Sequence, residues 1–170
     1  MYKRQVIKSQ ILSCGAYLPE KILTNDDLAK TIDTSDQWIR ERTGITKRHI
    51  AADNEYTSDL GYKAAIQALT KANLEANQID MIIVATTTPD NIFPSTATKI
   101  QAKLGIKNAF AFDVQAVCSG FVYALTIADK FIKTFAAKNI LVIGAETMSR
   151  IMNWQDPVSY THLRAHETSI

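Results

Sequence analysis

The chain has 170 residues, 46% of them apolar and 21% charged, with nineteen basic against seventeen acidic side chains. That length and composition allow roughly 70% of the unfolded surface to be buried, which predicts one globular unit and excludes intrinsic disorder. The net charge of +2 is spread along the sequence, so nucleic acid is not an expected partner, and no segment approaches the roughly 20 apolar residues that cross a bilayer. The opening MYKRQVIKSQ lacks the apolar region of a signal peptide, so a cytoplasmic location is expected. Cys14 and Cys118 make neither a disulfide framework nor a zinc spacing, and no metal is expected.

In chain order, residues 5–19 are β-branched early and stop at Gly15 and Pro19, which predicts a strand followed by a turn. Cys14 falls inside this run, and a free cysteine there reads as a buried, inert one. Thr24 or Asn25 caps a short helix over 24–32, and residues 34–44 repeat the pattern with Gly44 at the end. A third helix is predicted over 57–74. Residues 80–88, DMIIVATTT, form a continuous apolar run of the kind a strand buried on both faces shows.

Pro94 at a first helical position and Gly105 past the end predict a helix over 93–105, and residues 108–114 read as a strand. From Ser119 onward Phe121, Ala124, Leu125, Ala128, Phe131, Ile132 and Phe135 recur at helical steps, which predicts a long, largely buried helix. Residues 139–147 return to an apolar strand. Strands alternating with helices imply an α/β fold, with a mostly parallel sheet covered by helices on both faces.

In such sheets ligands bind beyond the carboxyl ends of the strands. Cys118 sits at that kind of junction, between FAFDV and the long helix, where free N–H groups and the positive end of the helix favour negative charge on sulfur. The pattern leaves two readings open: a nucleophile, or a structural cysteine.

Several stretches read together go further. GAYLPE (15–20), DTSDQWIRERTGITKRHIA (33–51), FPSTA (93–97) and FDVQAVCSGFVYAL (112–125) resemble the β-ketoacyl-acyl carrier protein synthase III family, over residues 1 to about 156. The resemblance implies the N-terminal half of a thiolase-like condensing enzyme that initiates fatty acid synthesis, works as a homodimer and holds no permanent cofactor. Cys118 would take an acyl group from acyl-CoA, and decarboxylative condensation with malonyl-acyl carrier protein would follow. By the same resemblance Trp38 would stack on the adenine of coenzyme A. Arg42 and Thr34 would lie near the nucleotide, and Phe93 would line the partner's acyl pocket.

The family's catalytic histidine and asparagine lie in its C-terminal half. His49, in KRHIA, matches a non-catalytic stretch and reads as a surface or packing residue. The resemblance breaks at Pro157, and residues 157–170, PVSYTHLRAHETSI, read as a non-native tail of adapter or vector origin. His162 and His166 lack a third ligand for a metal face. The chain as written is therefore expected to be inactive in condensation, and the alternative to an enzyme is a non-catalytic fragment that at most binds coenzyme A or self-associates. A thiol-redox module would need Cys14 as its resolving cysteine.

Overall fold

A computed structural model of the chain describes residues 7–154 together with Thr168 and Ser169. Two sheets organise it. The smaller pairs strand β1 (Lys21–Thr24) antiparallel with β2 (Lys47–Ile50), Lys21 opposite Ile50 and Thr24 opposite Lys47. Between them run helices α1 (Asn25–Ala29) and α2 (Asp36–Thr43). Thr24 Oγ1 accepts the Asp27 N–H, Ser35 Oγ accepts the Trp38 N–H, and Gly44 ends α2 at φ 72°, a left-handed value that glycine adopts without steric cost. Leu28, Ile39 and Ile45 form the core of this unit, with Trp38 and Trp154 against it.

Arg48 is fully buried there. Its guanidinium donates to Asn25 Oδ1 at 2.8 Å, and Asn25 Nδ2 donates to Asp36 Oδ1 and to the Ile45 carbonyl. A buried charge is tolerated only when hydrogen-bonded, and this network ties β2 to the start of α2.

The larger sheet has β3 (Met81–Ala85) at its centre, parallel to β4 (Phe110–Val114) on one side and β5 (Ile140–Glu146) on the other. At the far edge β6 (Thr168–Ser169) pairs antiparallel with Ala145 and Glu146. Every residue of β3 is buried because helices cover both faces. Ile82 and Val84 point to α3 (Thr57–Ala72) and α4 (Thr96–Lys103), packing with Leu69, Ala97 and Ile100. Met81, Ile83 and Ala85 point the other way, to α5 (Gly120–Lys133), whose Ala124 and Ala128 let it sit close to the sheet. Emptying one of these sites, as in Ile83→Ala, costs about 2–5 kcal/mol. Among the described residues no helix is long and apolar enough to cross a membrane.

Four expectations are corrected. Residues 7–16 form no strand; the segment lies along α3, with Ser13 Oγ donating to the Ala68 carbonyl and Gly15 pressed on the backbone of Ala64 and Ala68. Cys14 is consequently exposed rather than buried, because Lys71 Nζ holds its carbonyl against the helix and its side chain faces a cleft. Pro94 does not open α4: Ser95 is the cap, its Oγ accepting the Thr98 N–H, and the Phe93–Pro94 peptide before it is cis. The helix expected to be largely buried fully buries only Gly120, Ala124 and Ala128, and Phe135 lies past its end at φ 59° and is 81% exposed. Residues 5–6 and, apart from β6, the segment 157–170 with His162 and His166 lie outside the described residues.

Candidate functional site

Ala85 ends β3 in register with Val114 of β4 and Gly144 of β5, so these residues form one row at the carboxyl end of the parallel strands. Two of the three are small, and the first turn of α5 rests on them. A β-carbon on Gly120 would stand 3.3 Å from Ala85 Cβ, and one on Gly144 would stand 3.2 Å from the Phe121 ring. The helix end is thereby seated on the sheet. Just ahead of it, residues Val117–Ser119 make a single 3-10 turn with Cys118 at its middle, exposed.

No side chain caps the N-terminus of α5 and no acidic residue lies in its first turn. The end of the helix dipole nearest Cys118 therefore keeps its positive character. The Asp113 carboxylate, one residue before the end of β4, faces the opposite side of the sheet. It accepts the N–H groups of Thr96 and Ala97, each at 2.8 Å, and caps α4.

A second cluster closes the same end of the sheet. Glu146, the last residue of β5, accepts the N–H groups of Thr87 at 2.8 Å and Thr88 at 3.0 Å, with the Thr88 hydroxyl donating to the same carboxylate. Thr88 Oγ1 in turn accepts the Thr147 N–H, and the Thr57 hydroxyl donates to the Thr88 carbonyl. The loop that follows β3 is fixed to β5 by these bonds. Phe93 stands farther along that loop and is 83% exposed.

Trp38 and Arg42 meet on α2, one turn apart. The guanidinium carbon lies 4.2 Å from the indole centroid, in cation–π contact, and the half-buried indole rests on the core of the smaller unit. Thr34 lies just before the helix, its Oγ1 enclosed without a hydrogen-bond partner. Asp36 accepts from Asn25 and Arg40, bonds that hold its carboxyl below the usual range. His49 Nδ1 is 2.6 Å from the Pro19 carbonyl oxygen, a packing role.

Sequence reasoning named Cys118, Trp38, Arg42, Thr34 and Phe93 as candidates but not the residues packed around the turn of Cys118. Ala85, Gly144 and Glu146 sit inside runs that read only as strand. The small residues Ala85 and Gly144 near the ends of their runs were the available signal.

The sequence profile described as 3-oxoacyl-[acyl-carrier-protein (ACP)] synthase III matches residues 112–164, a span that includes Cys118 and α5. Full-length relatives carry the same name. A β-ketoacyl-[acyl-carrier-protein] synthase III of Ehrlichia canis is 64% identical over 149 residues, 88% of this chain and 47% of the relative, and one from Paramagnetospirillum magneticum is 58% identical over 151 residues, 89% and 47%. The chain belongs to the β-ketoacyl-acyl carrier protein synthase III family, as its N-terminal half. It spans about half the length of the curated relatives it matches. The crystal structure of the synthase III from Aquifex aeolicus superposes with a TM-score of 0.89 at 48% identity, covering 94% of this chain and 51% of that one. The priming β-ketosynthase of the R1128 polyketide pathway superposes at 0.90 with 29% identity, covering 99% and 50%. The fold is thus thiolase-like α/β, as the synthase III resemblance implied.

Two clefts lie elsewhere on this synthase III half. One of about 660 Å³ is lined by Tyr17, Glu55, Asp59 and Lys63 among others. Lys63 Nζ donates to Glu55 at 2.6 Å and to the Tyr17 hydroxyl at 2.8 Å, which holds its ammonium well above the usual range. The other, about 490 Å³ and mainly apolar, separates residues 9–15 from Ile140, Leu141 and Val142 of β5. Neither is lined by Cys118, Trp38 or Phe93. Among the described residues no group of three metal-ligating side chains is assembled.

Proposed function

We propose that this chain serves the acyl-CoA-dependent condensation that initiates fatty acid synthesis, with Cys118 as the acyl acceptor. The observation that carries the reading is an exposed thiol on a turn at the uncapped N-terminus of α5, beyond the carboxyl ends of β3 and β4. The thiolate attacks the acyl-CoA carbonyl, a carbon–sulfur bond to Cys118 forms, the bond to coenzyme A sulfur breaks, and coenzyme A leaves as a thiolate that takes up a proton. The positive helix end offsets the negative charge that this exchange brings to the site.

Acyl-CoA is a substrate in this scheme, not a resident cofactor. Trp38 offers an indole face for adenine and Arg42 a guanidinium for phosphate or base edge, and Thr34 borders them with its hydroxyl enclosed. Phe93 extends from the surface toward the pocket of a second copy, and malonyl-acyl carrier protein is the second substrate. The working location is the cytoplasm, and residues 157–170 are a non-native tail.

A second reading is supported by the histidines. His49 is engaged with Pro19, and the family's catalytic histidine and asparagine have no counterpart in residues 1–156. Loss of general acid–base help costs about 10²–10⁴ in rate, so these residues alone carry at most acylation of Cys118, coenzyme A binding or self-association.

Incubation of the chain with radiolabelled acetyl-CoA, followed by peptide mapping, tests the acceptor. Label is expected on the peptide containing Cys118 and is expected to vanish in Cys118→Ala. Label that is absent, or that survives the substitution, removes Cys118 from the role.

A further inference from the structure

Val117 has a backbone φ of 48°, in the left-handed region that β-branched residues avoid because Cβ crowds the following carbonyl. Its side chain is 61% exposed, so its own packing does not impose the conformation. The constraint comes from the ends of the segment. Val114 is in register with Ala85, and its carbonyl accepts the Thr86 N–H at 3.2 Å. Gly120 rests on the same Ala85 from the helix side. Residues 115–119 must therefore leave Ala85 and return to it, and Asp113, tied to the start of α4, keeps the end of β4 from yielding. Ser119 donates to the Ala116 carbonyl and Gly120 to that of Val117, which closes the turn around Cys118.

We propose that Val117 is a positioning residue: its left-handed backbone, enforced by the clamp of Val114, Ala85 and Gly120, holds Cys118 forward at the mouth of α5. The proposal rests on the reading of Cys118 as acyl acceptor. A residue confined to negative φ at this position breaks the turn and carries the thiol away from the helix end. Valine costs native stability here, and the cost persists because the surrounding contacts over-determine the turn.

The test uses the full chain with Cys14→Ser, which leaves Cys118 as its single thiol. Alkylation by iodoacetamide is followed across pH, with far-UV circular dichroism as the check on folding and acetyl-CoA labelling run in parallel. Val117→Pro, confined to negative φ, is expected to slow alkylation by about fivefold or more, whereas Val117→Gly, which takes the left-handed region without steric cost, is expected to keep the parent rate. Val117→Asn, whose side chain tolerates the left-handed region, is expected to keep the parent rate. A parent-like rate in Val117→Pro, or an equal loss in Val117→Gly or Val117→Asn, overturns the proposal. Should Val117→Pro fail to fold, Gly120→Ala presses on Ala85 from the other side of the clamp; slower alkylation is expected, and an unchanged rate overturns the idea. Absent acetyl labelling with this alkylation pattern intact would remove the acyl-acceptor reading alone.

Discussion

Gly120 and Ala85 approach so closely that a β-carbon on the glycine would stand 3.3 Å from the alanine Cβ. That contact sets the height of α5 above the sheet, and with it the place of the turn that carries Cys118. Side chains of increasing size should lift the helix end in steps. Gly120 has right-handed helical dihedrals, so Gly120→Ala brings no backbone strain and is expected to keep the fold. Gly120→Val adds bulk that Ala85 and the Val114 carbonyl cannot both accommodate, and is expected to cost about 1–3 kcal/mol. Urea denaturation of the two variants measures the difference, and equal midpoints would show that the helix end is not seated there.

Glu146 joins β5 to the loop after β3 through acceptor geometry alone. Its carboxylate receives two backbone N–H groups and the Thr88 hydroxyl. Glu146→Gln keeps the shape but turns an amide NH₂ toward donors, leaving one of them without an acceptor. The expected loss is about 1–3 kcal/mol, with faster amide hydrogen exchange at Thr87 and Thr88 than at Ile83. Uniform exchange across β3 and its loop would argue that the carboxylate is not the fastener.

Asp36 gives the smaller unit an acid limit. Hydrogen bonds from Asn25 first, and from Arg40, hold its carboxyl below the ordinary value of 3.8. A depressed carboxyl contributes stability that is complete above the unfolded value and is lost as pH falls below 3.8 toward the folded one. Far-UV circular dichroism and tryptophan emission are therefore expected to change below about pH 4 as α2 loosens. Asp36→Asn should be less stable near neutral pH and flatter in this acid window.

Much of this architecture could be read from residue order because the strongest signals are local. The run MIIVA admits little but a strand buried on both faces, and the Cys-Ser-Gly step between a strand and an apolar helix marks where α5 begins. What escaped depends on partners distant in sequence. Lys21–Thr24 and Lys47–Ile50 are short and partly charged, and they become strands only by pairing with each other. Residues 7–16 look strand-like, yet Ser13 and the Cys14 carbonyl bond to α3 and Ser9 to Asp129 of α5, which leaves Cys14 outward. The left-handed turn at Val117 was illegible for a simpler reason. Valine is among the residues least expected there, and only closure of the segment onto Ala85 calls for it.

The stacked pair on α2 offers a final prediction about nucleotide binding. Arg42 covers the indole of Trp38 at 4.2 Å, so a purine that stacks on that face must displace the guanidinium or share the ring with it. Stacking of a base on an aromatic ring is worth about 1–3 kcal/mol, whereas an exposed cation–π contact is worth about 0.5–1 kcal/mol. Displacement is thus favourable, and the two substitutions should rank in a definite order. Trp38→Ala is expected to weaken coenzyme A binding about tenfold, and Arg42→Ala by less, because removal of the competing guanidinium offsets part of the lost phosphate contact. Trp154 also emits, and its indole N–H is engaged with the Ser149 carbonyl, so the titration is read in a Trp154→Phe background. Because Trp38→Ala in that background holds no tryptophan, isothermal titration calorimetry of coenzyme A checks the order; a greater loss from Arg42→Ala than Arg42→Lys, with coenzyme A still quenching Trp38, would instead make the guanidinium a phosphate clamp.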